Sequence, residues 1–346
     1  MSASIAAAGG VGGALRPRCA PLPSWLRESP ALAGALRLLD QVPSELAMCP
    51  QGLEVVVAEE PRVGLTVGFP LNASPLECYP PLSTLESWVA SINTTGPVAR
   101  RVSALLERAR AHQDGRDGRL RNVYLAFEPS DGALALAGPV LGFREDDAWP
   151  AAERWRLLLG DDHDAFQPQL EAWSAAHADQ PPPVYLGAAV RGGARVLKSY
   201  TRGAIGDQIR RLAAFAGANP LPPRLVEHLL SADGLTAMRP EDWRDGEMRR
   251  MGLELSLRFE GGTRSIRPGV EGTPLTRWLD AELLDLMDAG GRDLQLDDGS
   301  VQTFGINHLK VSVTADGGVE WKMYLIHFVL PSSEARARRA VDALFG

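Results

Sequence analysis

Two short strings, Leu197-Lys198-Ser199-Tyr200 and Trp321-Lys322-Met323-Tyr324, each set a lysine and a tyrosine two residues apart. Both fall in the second arm of a predicted β-hairpin. A strand sends alternate side chains to opposite faces, so Lys198 shares a face with Tyr200, and Lys322 with Tyr324. An ammonium beside a phenol ring can hold an anion and shield what lies next to it. Further strand cations, Arg62, Arg258 and Lys310, have a phase that permits them to face the same cavity. Glu254 alternates into the same face as Arg258, and His308 into that of Lys310.

Other chemistry-bearing strings have plainer readings. Asp161-Asp162-His163-Asp164 has the look of a metal box, but it interrupts an apolar helix and reads as a break and cap. Asp297-Asp298-Gly299 reads as a turn. The six histidines show no ligand spacing, and His327 is out of phase with Lys322, which places it beneath outer helices. Gly9-Gly10-Val11-Gly12-Gly13 follows no strand and is not a phosphate loop. There is no Gly-x-Ser-x-Gly elbow and no Cys/His nucleophile pair.

The elements that must position the lysines and tyrosines alternate. A short helix is predicted over 31–40. Strand pairs follow at 53–58 with 63–69, at 122–128 with 133–143, and at 184–190 with 195–201. A further strand over 252–259 has a weaker partner near 263–267. The last pair is 308–313 with 319–328. Helices are predicted between the pairs, at 83 onward, 98–111, 150–178, 205–216, 223–230 and 275–287, and after residue 332. Ser83 and Glu86 form a capping box. Most tryptophans fall on these helices, where they pack an outer shell.

Length allows one large domain or two ordinary ones. The chain has 346 residues, 45% hydrophobic and 23% charged, enough to bury a sizeable core. Its formal charge of −7 argues against a general nucleic-acid or acidic-membrane binder. No apolar run is long enough to span a bilayer. Cys19, Cys49 and Cys78 are few and odd in number, which fits a reducing cytoplasm. Residues 1–30 are expected to form a flexible tail, and 31–346 a single domain. The tail lacks the basic start and apolar stretch of a secretory signal.

The expected fold class is α+β: a closed antiparallel barrel of about ten strands inside a ring of helices. The strands alternate cleanly. In Leu253–Phe259 the leucines oppose Glu254, Ser256 and Arg258; in Val319–Phe328, Glu320, Lys322 and Tyr324 share a face. A sandwich would send such polar faces to water. Helical crossovers between successive hairpins cover the apolar face instead, and that turns the polar faces toward a lumen.

Hairpins alternating with helices, with Lys-x-Tyr on strands, resemble the ABBA-type aromatic prenyltransferases of the PT-barrel fold, built from repeated ααββ units. That family includes the tryptophan dimethylallyltransferases and the cyanobactin prenyltransferases. The likeness covers roughly residues 40–345. Lys198-x-Tyr200 matches the family's Lys-x-Tyr on the second strand of the third hairpin. The chain departs from indole-type members at Val196, where they carry Arg, and at Ala133–Ala137, where they carry another Lys-x-Tyr.

The resemblance implies transfer of a dimethylallyl or geranyl group from its diphosphate to an electron-rich ring. The acceptor would be an indole, tryptophan or a tryptophan-containing peptide, with a phenol as runner-up. It gives the diphosphate to Arg62, Lys198, Arg258, Lys310 and Lys322. Tyr200 and Tyr324 would shield the allylic cation, with Tyr124 and Tyr185 as secondary candidates. Glu54, on the first strand, would act on the acceptor proton, and Glu254 is the alternative. No cofactor is certain; Mg²⁺ is left open, since indole-type members generally work without a bound metal. The rival readings are a barrel that binds a small hydrophobic or anionic ligand without turnover, and a sandwich interaction module.

Overall fold

The computed structural model describes residues 15, 19, 22–46, 49, 51–58, 62–71, 82–91, 97–114, 120–130, 133–144, 149–191, 193–231, 235–256, 258–259, 262–263, 284–285, 292–295 and 300–330. Ten strands carry the architecture: β1 Gln51–Val56, β2 Arg62–Pro70, β3 Leu120–Ser130, β4 Ala133–Phe143 and β5 Tyr185–Arg191. They continue as β6 Ala194–Ala204, β7 Thr236–Arg244, β8 Glu247–Ser256, β9 Val301–Thr314 and β10 Val319–Leu330. Each pairs antiparallel with the next in order, β10 pairs with β1, and the ring closes. A ten-stranded closed barrel leaves no long sheet edge open to another chain.

Closure uses β9 in two halves. Residues 308–314 pair with β8, while 301–304 pair with a short strand, Arg292–Gln295. A bulge between Ile306 and His308 separates the halves. It re-phases the strand so that His308 and Lys310 turn inward with Tyr324 and Lys322 opposite.

Helices cover the outside. α1 Pro30–Leu39 precedes β1; α2 Leu82–Ser91 and α3 Pro97–Asp114 link β2 to β3; α4 Ala151–Leu159 and α5 Gln167–Ala176 link β4 to β5. α6 Ile205–Ala216 and α7 Pro223–Leu230 link β6 to β7. Ser29 caps α1 by accepting from the Ala31 and Leu32 amides, with Pro30 at the first helical position. The core lies between the helices and the outer strand faces. There Leu53, Val63, Leu65, Val67, Leu125, Leu253, Val311 and Met323 are buried against Trp88, Trp155 and Phe166. No helix among the described residues is long and apolar enough to cross a membrane.

Two expectations change. The partner of the strand ending near residue 256 is not 263–267 but β7, joined through Asp245 (φ 53°) and Gly246 (φ 76°). Left-handed backbone at both central residues matches the twist of a two-residue hairpin. Pro240 and the charged Arg239 and Glu241 disguise β7 in sequence. Residues 262–263 pair only with Arg258–Phe259, in a separate two-stranded ribbon. The packed body also starts before residue 31, because Leu22 and Leu26 are buried in the core and Ser24–Arg27 forms a helical turn. The predicted helix over 275–287 lies outside the described residues except at Leu284 and Asp285, and the helix after 332 lies wholly outside them.

Candidate functional site

The inward faces of β1, β2, β3, β6, β8, β9 and β10 bring charged and aromatic groups together. Lys322 opposes Lys310 directly across β9 and β10, and Tyr324 opposes His308. On the other side of β10, Tyr324 opposes Glu54 of β1. Lys310 opposes Glu254 of β8. Hairpin pairing thus gathers residues from both ends of the sequence onto one wall.

The carboxylate of Glu54 accepts hydrogen bonds from the Lys322 ammonium and the Tyr324 hydroxyl. Lys322 also lies 3.3 Å from Glu320, which pairs in turn with Arg62 at 2.5 Å and with Arg250. Lys310 is 3.4 Å from Glu254, and Lys198 is 3.5 Å from Glu128. The five cations Arg62, Lys198, Arg250, Lys310 and Lys322 therefore each meet a carboxylate. Asp242 shares the inward face by register, opposite Lys198 and Arg250. Among the described residues, these five cations share the lumen with the carboxylates of Glu54, Glu128, Glu254, Glu320 and Asp242.

Four of the five tyrosines line this space. Tyr124, Tyr185 and Tyr200 form a chain of rings with centroids 6.0 Å apart at each step. The Lys310 ammonium lies 5.5 Å from the centre of the Tyr200 ring. His308 stacks on Tyr324 at 4.0 Å. Small inward residues make room in this wall: Gly142 for the Tyr185 ring, and Gly187 for the Lys198 and Val140 side chains. Glu54 keeps 28% of its side-chain surface accessible although protein surrounds it on all sides, as a lumen-facing group should.

Charge states follow from these contacts. Burial alone would raise the Glu54 pKa, but Lys322 and Lys310, with hydrogen bonds from Lys322 and Tyr324, hold it well below the usual carboxylate value. Burial pushes Tyr324 well above an ordinary phenol, and the Glu54 and Glu254 charges add to that. Burial also lowers His308; Glu254 opposes that shift, and Lys310 reinforces it. The imidazole is therefore neutral at pH 7. His308 Nε2, Ser312 Oγ and Arg250 Nε are buried without hydrogen-bond partners on the wall formed by β8 and β9. Unsatisfied polar atoms on one wall mark where a polar ligand would be stabilised.

The sequence-derived candidates distribute clearly. Glu54, Lys198, Tyr200, Lys310, Lys322 and Tyr324 come together in the lumen, as do Tyr124, Tyr185 and Glu254. Arg62 stands at the mouth, its side chain 63% exposed, and reaches the others through Glu320. Arg258 lies in the separate ribbon with residues 262–263, and its side chain lies outside the described residues. Glu128, Arg250 and Glu320 were not among the candidates. Alternation alone marks all three, because each sits two or four residues from an inward-facing neighbour.

Outside the lumen, His327 lies under the outer shell, as its phase predicts, bonded to Gln51 at 2.7 Å and Gln302 at 2.9 Å. The acidic string 160–166 forms a 3₁₀ turn docked onto α3. Arg101 meets Asp162 at 2.6 Å, and Arg108 donates to the Leu157 and Leu158 carbonyls. No cluster of metal-ligating side chains occurs among the described residues. No family model matches the chain, and no curated protein matches it.

Proposed function

We propose that the chain is a cytoplasmic aromatic prenyltransferase of the PT-barrel kind. It would transfer a dimethylallyl or geranyl group from its diphosphate to an electron-rich ring, an indole or tryptophan first and a phenol second. The observation that carries this reading is the direct opposition of Lys310 and Lys322, both nearly buried, beside the rings of Tyr200 and Tyr324. Like charges placed opposite each other in a ladder repel. A polyanion between them turns that repulsion into binding.

The chemistry then divides among the lumen groups. Lys198, Lys310 and Lys322 take the diphosphate and stabilise the charge that grows on it as the allylic C–O bond breaks. The bonding pair leaves with the diphosphate. The Lys310 ammonium over the Tyr200 ring marks a place where positive charge is already favoured, which suits a shield for the allylic cation. A ring carbon of the acceptor attacks the cation, and the ring proton passes to Glu54. Arg62 guards the mouth.

A second reading, a barrel that binds a small anionic ligand without turnover, is favoured by the clustering of Lys198, Lys310 and Lys322 in one lumen. Incubation with labelled donor and a panel of tryptophan, tyrosine, cyclic dipeptides and hydroxynaphthalenes separates the two. The enzyme reading expects a labelled product, with both turnover and donor affinity reduced in Lys198→Ala and Lys322→Ala. Donor binding with no product from any acceptor supports the second reading. Neither binding nor product overturns both.

A further inference from the structure

The ion-pair map of the lumen carries a consequence for any anion that enters it. Each of the five cations already meets a carboxylate. An added oxyanion must therefore compete with a carboxylate for the same ammonium groups. The competition is sharpest between β9 and β10, where Lys310 and Lys322 face each other.

The four glutamates there are not equally exposed to that competition. Glu320 keeps Arg62 and Arg250 when Lys322 turns away. Glu128 meets Lys198 of β6, which is not one of the two opposed lysines. Glu254 meets Lys310 alone, since the neutral His308 4.0 Å away adds no charge, whereas both opposed lysines act on Glu54. Glu54 relies on Lys322, on the charge of Lys310 and on the Tyr324 hydroxyl. His308 of β9 is neutral and offers it no charge. Once both lysines turn to a diphosphate, Glu54 sits beside new negative charge with only a phenol to support it. A carboxylate that loses its cations beside added negative charge takes up a proton.

We propose that a diphosphate oxyanion enters the lumen together with a proton, and that the proton comes to rest on Glu54. The proposal rests on the diphosphate site of the reading above and adds a regulation to it. The Lys322–Glu54 hydrogen bond breaks, Lys322 bonds the anion, and Glu54 gains one proton from solvent. The empty barrel holds Glu54 as an ion paired with lysine; the loaded barrel holds it as an acid that donates toward the ligand. On diphosphate release Glu54 returns the proton to water and reclaims Lys322. In the transfer reaction the loaded Glu54 must first give this proton up to the diphosphate as its charge grows, and only then accepts the ring proton. Proton uptake couples affinity to pH. In the window between the two Glu54 pKa values, binding tightens as pH falls, by about tenfold per pH unit for one proton.

The test uses inorganic diphosphate and the full chain. Calorimetric titrations in buffers of different ionisation enthalpy count the protons taken up on binding. Wild type is expected to take up about one proton more than Glu54→Gln, whose side chain cannot titrate. Diphosphate's own protonation is common to both proteins and cancels in the difference. Glu320→Gln is expected to keep the uptake. If Glu54→Gln fails to fold, Tyr324→Phe serves instead: both Glu54 pKa values rise without the phenol, so the window in which binding tightens moves to higher pH, and an unmoved window overturns the coupling. Binding with equal uptake in wild type and Glu54→Gln overturns the coupling and leaves the transferase reading intact. No diphosphate binding at any pH overturns both. Repeating the titration with a dimethylallyl thiolodiphosphate identifies the source of the anion. Tighter binding than inorganic diphosphate, with the same uptake, supports a prenyl-bearing ligand.

Discussion

The hydroxyl of Tyr324 donates to the carboxylate of Glu54, its direct cross-strand neighbour, from 270 residues away in the sequence. A hydrogen bond to a charged group contributes about 1.5–3 kcal/mol. Tyr324→Phe keeps the ring stacked on His308 and removes only this bond. Its stability in urea at pH 7 should drop by roughly that amount. An unchanged midpoint would show that Lys322 alone suffices.

Acid sensitivity should concentrate in three buried carboxylates. Glu54, Glu320 and Glu241 all ionise below the ordinary glutamate value because nearby cations and hydrogen bonds outweigh the cost of burial. A depressed folded pKa gives stability that is present above the unfolded value, near about 4.3, and is lost as pH falls through the folded value. Urea midpoints should stay level from neutral pH to about 5 and fall steeply below about 4. Glu54→Gln should lessen that fall. An acid limb of the same slope in the variant removes Glu54 from this account.

The outer face of β6 and β7 holds a buried charge cluster. Arg239 donates to Glu241 at 2.8 Å, to Gln208 at 2.9 Å and to Gln180 at 2.6 Å. The other Glu241 oxygen lies 2.8 Å from His177 and accepts from Trp243 at 3.1 Å. Removing one partner of a buried pair typically costs about 3–5 kcal/mol. Arg239→Met should lose stability on that scale and pull α5 and α6 away from the barrel. Hydrogen exchange in α5 and α6 reports the second effect.

Gly138 sits where β4 bends at its bulge. A Cβ there would come within 2.0 Å of the Ala188 carbonyl oxygen on β5. Gly138→Ala must therefore push β4 and β5 apart, at a cost of about 1–3 kcal/mol. Thermal unfolding measures it. A neutral variant would mean that this seam is looser than the contact implies.

Tyr200 separates ring from hydroxyl in function. A cation shield uses the π face, so Tyr200→Phe should keep product formation. Tyr200→Leu removes a desolvated cation–π contact of about 2 kcal/mol and should slow turnover about thirtyfold. Equal loss in both variants would assign the role to the hydroxyl instead.

The hairpins and the inward polar face were legible because alternation and turn residues are local signals. Lys198, Lys310 and Lys322 could be placed on one face from phase alone. Their partners could not, because a strand's neighbours depend on closure: the Glu54–Tyr324 and Lys310–Glu254 meetings exist only once β10 joins β1 and β9 joins β8. β7 was missed because Pro240 and the paired Arg239 and Glu241 suppress the apolar alternation that marks a strand. Asp245-Gly246 was its visible signal, a two-residue turn between two long arms. The pairing of each lumen cation with a carboxylate was hidden for the same reason. Cations can be listed from sequence, but which carboxylate each one meets is a property of the closed ring.

That β1 pairs with β10 also sets a schedule for synthesis. Glu54 leaves the ribosome with its strand long before Lys322 and Tyr324 exist. Until β10 arrives, the outer hydrogen-bonding row of β1 has no partner and can pair with a neighbouring nascent chain. A polysome crowded with such half-built barrels is the condition under which this protein is most prone to cross-pair. Spacing initiation events, or supplying a holdase, should raise the yield of folded chain more than any change to the finished barrel.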